Sequence, residues 1–363
     1  MPQASSSLDA RLTRLAGQWF LGSGIQESNG GVARYYHSDT RLNARVSTEI
    51  TGYAVSTFVF LYERTQNRDY LTAAIQAGQF LIRTAWSPSL KTFPFEHSCD
   101  GDAPQPLAYF FDCGIITRGL LALWRVTGES EYLDVALQAG HSMARDFATG
   151  NTWNPILTLP GKHPLPWASQ WSRQPGCYQL KSALAWRDLG AITGDPQFEL
   201  YFSRALTTAL ATHEGFLPAE TPARTMDRLH AYCYFLEALV SSYEPALRPV
   251  IAQGITRVSR YLREIRSEFE RSDVNAQLLR VRLMASSVAD VRLNEEEASE
   301  EAASIMQFQF ERLGDSEHGG FWFGRKGAEM MPFLNPVSTA FCLQAYEWWQ
   351  DHQIGRSGVQ AII

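Results

Sequence analysis

The stretch Ala108–Leu133, AYFFDCGIITRGLLALWRVTGESEYL, decides how the rest of the chain is read. Ile115, Ile116, Gly119, Leu120, Leu123 and Trp124 recur at three- and four-residue steps, the period of one helical face. Val126-Thr-Gly-Glu then stops the helix with glycine at its C-terminal boundary. Asp112 stands at the opposite end, just ahead of the first apolar turn, where a carboxylate can cap free backbone N–H groups. The stretch therefore predicts a helix with an acid at its mouth, a tight turn and the start of a second helix.

The chain repeats this unit. Thr65-Gln-Asn-Arg-Asp-Tyr-Leu returns as Thr127-Gly-Glu-Ser-Glu-Tyr-Leu, and Gln76-Ala-Gly returns as Gln138-Ala-Gly. Ala191-Ile-Thr-Gly-Asp-Pro-Gln-Phe is a third, more worn copy. Self-similarity of this kind marks stacked supersecondary units. Working outward, helical periodicity fits Leu8–Leu21, Arg45–Thr65, Arg68–Thr84, Ala108–Thr127, Glu131–Phe147, Cys177–Thr193 and Pro196–Thr212. It also fits Arg228–Tyr243, Leu247–Arg266, Asp273–Ala289, Glu295–Leu313 and Val337–His352. No stretch alternates as a strand should. The loops are too uneven for an open solenoid. The expected fold is all-α: six helical hairpins closed into an (α/α)6 toroid, one domain over residues 1–363, with inner helices less polar than outer ones.

Composition is that of an ordinary globular protein: 45% hydrophobic, 19% charged and 12% aromatic. A net charge of −6 offers no basic footprint for nucleic acid. No apolar run is long enough to span a bilayer. The opening MPQASSSLDA lacks a basic and then apolar leader, so a cytoplasmic location is expected. Cys99, Cys113, Cys177, Cys233 and Cys342 are scattered, and no CxxC or HExxH motif is present. Reduced thiols are therefore expected, with no metal and no cofactor. A homodimer is compatible with all of this.

In a hairpin ring, every loop entering an inner helix lies on one rim. Those loops carry Phe95, Trp153, Trp171, Phe216 and Trp322 beside turn residues. Aromatic rings there predict a pocket wall whose flat faces suit the C–H surfaces of sugars. Aligned on the repeat, the first turns of the inner helices bring Asp112 level with Tyr178, Arg228 and Asn335. Glu49 stands beside Ile50 in the first copy, and Asp273 and Asn275 flank the position in the fifth. Arg45, Tyr53, Lys181, His230 and Tyr232 are close by. Core positions would be mainly apolar, so this set is the strongest functional signal. Glu49 and Asp112 open neighbouring helices and form a candidate acid/base pair, with Arg45, Arg118 or Arg228 to keep one of them ionised. Arginines in an acidic protein also suit a substrate carboxylate, as in a uronic acid. An alternative pairs His230 with His97 or His318 around a C–H bond, which is epimerisation or isomerisation.

The signature at Leu120–Gly140, LxALWRVTGESEYLDVALQAG, resembles the (α/α)6 six-hairpin superfamily. Its members include unsaturated uronyl hydrolases, N-acylglucosamine 2-epimerases and the helical domain of glucuronyl C5-epimerases. Thr48-Glu-Ile-Thr-Gly-Tyr, Phe111-Asp-Cys-Gly and Gly319-Gly-Phe-Trp are similar to bacterial relatives found with polysaccharide-biosynthesis genes. The resemblance implies a saccharide substrate. The uronyl hydrolases use two inner-helix aspartates; Asp112 matches one, and the other falls to Glu49 or Asp273. The 2-epimerases use two inner-helix histidines, and His230 matches one. The zinc motif of lanthionine cyclases and the acidic clusters of terpene cyclases are absent. Three functions follow as expectations: a uronate-directed glycoside hydrolase, a sugar epimerase or isomerase, and a non-catalytic saccharide-binding protein.

Overall fold

The computed structural model describes residues 3–96, 106–312, 314–356 and 361–363; His97 and Cys99 lie outside them. Twelve α-helices run through these residues: α1 (Gln3–Gly22), α2 (Thr48–Thr65), α3 (Arg68–Gln79), α4 (Phe110–Thr127), α5 (Ser130–Asp146), α6 (Leu180–Thr193), α7 (Pro196–Thr212), α8 (Pro222–Ser241), α9 (Arg248–Ile265), α10 (Ser272–Val288), α11 (Glu295–Met306) and α12 (Pro336–Gln353). They fall into two compact units. One holds Gln26–Arg34 and Ala44–Phe216, with α2 to α7; the other holds Met1–Ile25, Tyr35–Asn43 and Leu217–Ile363, with α1 and α8 to α12.

In the α2–α7 unit the even-numbered helices pack on one another and each carries its odd-numbered partner outside. Small residues set the spacing. A side chain at Gly119 would strike the Gly52 carbonyl oxygen at 2.5 Å, and one at Gly114 would strike Ser182 at 2.5 Å. Glycine thus lets α2, α4 and α6 approach closely, which brings their first turns together. The α8–α12 unit repeats the arrangement: α10 packs between α8 and α12, while α9, α11 and α1 lie against their outer sides.

The repeated hairpin turn is built the same way three times. The hydroxyls of Thr65, Thr127 and Thr193 donate back to Leu61, Leu123 and Leu189. The next residue is left-handed in each copy: Gln66 at φ 58°, Gly128 at φ 72° and Gly194 at φ 72°. Its N–H donates to the carbonyl four residues back, the glycine-type helix stop. The first copy is worn at this point, because glutamine occupies a conformation that costs an L-residue about 1–2 kcal/mol. Gln66→Gly is therefore expected to raise stability by up to about 1 kcal/mol, after the extra freedom of glycine in the unfolded chain is subtracted. Urea denaturation checks this; a lower midpoint would contradict it.

Boundaries differ from the periodicity at several places. α2 begins at Thr48 because the Ser47 hydroxyl accepts from the Ile50 N–H. α6 is entered through a 3₁₀ turn at Cys177–Gln179. α8 begins at Pro222, before Arg228, with Thr221 accepting from the Arg224 N–H. α11 ends at Met306, short of Leu313.

Short strands, too brief to show alternation, tie down the loops that enter the even-numbered helices. In the α2–α7 unit, Leu107–Tyr109 pairs antiparallel with Ile156–Thr158, and Ser47 bridges to Glu96. In the α8–α12 unit, Phe269–Arg271 pairs with Gly324–Lys326, and Tyr36–His37 pairs with Phe333–Leu334. Leu107–Tyr109, Phe269–Arg271 and Phe333–Leu334 deliver the chain directly into the mouths of α4, α10 and α12.

Candidate active site

Each unit gathers its own set of polar side chains at the helix mouths. In the α2–α7 unit, Glu49 is the second residue of α2 and Asp112 the third of α4. Asp112 does not cap its helix: Tyr109 holds the cap position, and no side chain caps there. Asp112 is instead buried, and its Oδ2 has no hydrogen-bond partner among the described residues. Burial raises its carboxyl well above the usual range, and repulsion from Glu49 adds to this. Arg34 and its own backbone N–H pull the other way. Burial pushes the half-buried Glu49 up to about 7, against Arg34. Two carboxyl groups in one apolar setting resist a second charge, so the pair retains a proton near neutrality.

The surroundings are aromatic and cationic. The Arg34 guanidinium lies 5.2 Å over the Phe95 ring and 3.5 Å from Glu96 Oε1. Arg45, exposed, reaches the other Glu96 oxygen at 4.0 Å. Phe95 meets Tyr109 at 4.9 Å, Phe111 meets Tyr178 at 6.2 Å, and Trp171 stands edge-on to Tyr178 at 4.9 Å. Tyr178 is fixed by its hydroxyl, which donates to the Gln174 carbonyl at 3.2 Å. Burial, aided by Asp112 and Glu96, raises the Tyr109 phenol, which stays neutral. Tyr53 and Lys181 are enclosed further along α2 and α6.

The α8–α12 unit centres on His230. Its Nδ1 lies 2.8 Å from Gln277 Oε1 and 3.4 Å from Asp273 Oδ2. Arg271 donates to both Asp273 oxygens, at 3.0 and 2.7 Å, and to Asp227 at 2.9 Å. Its guanidinium rests 4.4 Å over the Phe323 ring. Burial, then Arg271, lowers His230 to about 4, so the ring is neutral at pH 7. With Nδ1–H donating to Gln277, Nε2 keeps its lone pair. Burial works against the Asp273 charge, but Arg271 and His230 outweigh it and hold that carboxyl below its usual range.

Neither a family model nor a curated protein sequence matches the chain. Its structure is similar to that of a sugar epimerase from a ruminal bacterium, at a TM-score of 0.72 and 11% identity over 94% of this chain and 98% of that one. It is similar to cellobiose 2-epimerase from Spirochaeta thermophila DSM 6192, at 0.72 and 15% over 97% and 100%. It is also similar to a D-mannose isomerase, at 0.66 and 9% over 93% and 97%. The fold is that of the six-hairpin (α/α)6 proteins.

Within that fold, the first-turn positions picked from the repeat divide by role. Glu49, Asp112, Tyr178, Phe95 and Trp171 gather in one unit, and His230 and Asp273 in the other. Arg228, half-exposed, donates to the Pro218 carbonyl at 3.4 Å, and Trp322, half-buried, packs on Phe310 at 5.5 Å. Several expectations are corrected. Trp153 is no rim residue: its buried ring stacks with Phe110 and packs on Trp186 under Arg204. Tyr232 is buried, with its ring against Phe235 of its own helix and under Arg257 of α9. Asn275 is buried and donates to Glu270 and the Arg271 carbonyl, a structural task. Asn335 caps α12, its oxygen accepting from the Val337 and Ser338 N–H groups. The cation that acts on both Glu49 and Asp112 is Arg34, whereas Arg118 pairs with Asp188 at 3.2 Å. His318 makes no contact with His230 among the described residues; its N–H donates to Asp315. Among the described residues no three His, Cys, Asp or Glu side chains are grouped to hold a metal ion, and no helix is long and apolar enough to cross a membrane.

Proposed function

We propose that this protein is a carbohydrate-active enzyme that cleaves a glycosidic bond in a uronate-containing saccharide, with Asp112 as general acid and Glu49 as its partner base or nucleophile. The observation that supports this most is the pairing of buried Asp112 with half-buried Glu49, both raised, beside Phe95, Tyr109, Trp171 and Tyr178. Glycoside hydrolysis needs one carboxylic acid and one carboxylate across the scissile bond. Environments that separate two such groups assign the roles. Asp112, the more deeply buried, keeps the proton for the leaving oxygen. Glu49, closer to solvent, ionises first. Arg34 and Arg45 supply the positive charge that a uronate carboxylate seeks.

The pH profile carries the sign of this assignment. Activity requires Glu49 ionised, so kcat/KM is expected to rise with pH through an acid limb near 7. Arg34 lowers Glu49, so Arg34→Met is expected to move that limb to higher pH. A pH–rate series on both proteins checks it; an unmoved limb removes Arg34 from the role. The basic test is release of reducing ends from a uronate disaccharide.

A second reading rests on His230. A neutral imidazole with a free Nε2, beside Asp273, is a competent base for a proton α to a carbonyl. The similar structures named as sugar epimerases and an isomerase favour the same chemistry. Deuterium from solvent entering the sugar without bond cleavage would select it over hydrolysis. Saccharide binding with no product at any pH would select a non-catalytic role.

A further inference from the structure

The loop between the His163–Pro164 strand and α6 carries two tryptophans in different situations. Trp171 is half-buried against Tyr178. Trp167, four residues earlier, is 56% exposed. Single exposed apolar side chains are common on protein surfaces, but this one is held in place. Its indole N–H donates to Asn154 Oδ1 at 3.2 Å. Asn154 is only 5% exposed, and its backbone N–H donates to the Phe147 carbonyl at 2.7 Å. The main chain on either side is pinned too: Leu165 N–H donates to Ile156 and Ala168 N–H to Arg173.

The polar edge of the indole is thus already satisfied, and what remains is a bare, oriented apolar face. Such a face recognises another flat C–H surface and offers no hydrogen bond. Around it stand Pro166, Ala168, Ser169 and Gln170, all exposed and small or polar. A stable protein interface needs roughly 800 Å² from each partner, whereas here one ring stands alone. One ring fits one pyranose. The loop runs on to Trp171 and Tyr178, and Tyr178 adjoins Phe111, the neighbour of Asp112.

We propose that Trp167 is an outer sugar platform, stacking on a pyranose ring of an oligosaccharide whose reacting end occupies the Trp171–Tyr178 wall. This deepens the proposed function and rests on it for the class of ligand. The substrate is then a chain of several sugars, and affinity grows with length.

The probes are hyaluronan di-, tetra- and hexasaccharides and cello-oligosaccharides of the same lengths, titrated calorimetrically into the full chain. Wild type is expected to bind at least one series more tightly as it lengthens. Trp167→Ala is expected to lose about tenfold on the hexasaccharide and nothing on the disaccharide, and Trp167→Phe to recover most of the loss. Equal binding of all lengths by wild type and Trp167→Ala would overturn the platform. So would absence of binding to every probe, or a change in oligomeric state of Trp167→Ala by sedimentation. Asp112→Asn separates the two proposals. If it keeps turnover while the Trp167 length effect persists, the platform stands and the Asp112 assignment falls. If it loses turnover and the length effect is absent, the reverse holds.

Discussion

Asp112→Asn is expected to reduce turnover roughly 10²–10⁴-fold, the scale of a lost general acid, with no loss of folding stability. The two halves of this expectation share one cause. The carboxyl is buried, its Oδ2 has no hydrogen-bond partner among the described residues, and Glu49 repels its charged form. Burial and the Glu49 charge outweigh what Arg34 and the backbone N–H offer a carboxylate, and the α4 cap does not depend on Asp112. An amide of the same shape removes the repulsion and cannot ionise. The melting temperature should therefore hold or rise as activity falls, the pattern of a residue kept for chemistry at a cost in stability. Turnover assays and thermal denaturation of the same preparations check both halves. Full activity would take Asp112 out of the mechanism. Lost activity together with a collapsed melting temperature would make it structural.

How much of this site is legible from residues alone depends on where each side chain sits along the chain. Asp112 and Tyr178 stand at equivalent points of a repeat and Glu49 one residue from it, so periodicity finds them without coordinates. Asp273 opens α10 and is found the same way, whereas His230 lies two turns into α8. Arg34 is not, because it lies in the glycine-containing loop before α2, and the pairing of that loop with residues 45–47, including the Arg34 N–H bond to the Arg45 carbonyl, carries it back to the helix mouth. Tyr109 and Arg271 end strands of three residues, too short for alternation to register. Gln277 sits one turn below Asp273, where a polar residue on a helix reads as ordinary. Trp153 misleads for the opposite reason. A loop aromatic beside asparagine and proline looks exposed, yet the Thr152–Trp153 strand folds it onto Trp186. The Thr221-Pro222 start of α8 was readable as a cap followed by proline at the first helical position, but the apolar pattern that begins at Arg228 masks it.

Arg271→Met is expected to cost roughly 3–5 kcal/mol at pH 8, the scale for stripping one partner from a buried ion pair. Methionine refills the volume over Phe323 but leaves Asp273, 2% exposed, without its bidentate donor. The loss should shrink at acid pH. In the native protein His230 is lowered from 6.5 to about 4. The unfolded chain therefore binds its proton more readily, and the stability tied to neutral His230 is full above pH 6.5 and lost as pH falls through 4. Arg271 is one cause of that lowering. Without it, Asp273, 3.4 Å away, draws a proton onto the imidazole, and the new His230–Asp273 pair replaces part of what was removed. The variant should thus lie closer to wild type at pH 5 than at pH 8 in urea denaturation, and the His230 ring should titrate at a higher pH than in wild type by NMR. An equal deficit at both pH values would mean that Arg271 does not set the charge of this cluster. The same titration bears on chemistry. An imidazole protonated at neutral pH has lost the lone pair that proton abstraction requires, so an activity that depends on His230 would fall in Arg271→Met, and one that depends on Asp112 and Glu49 would fall only as far as folding does.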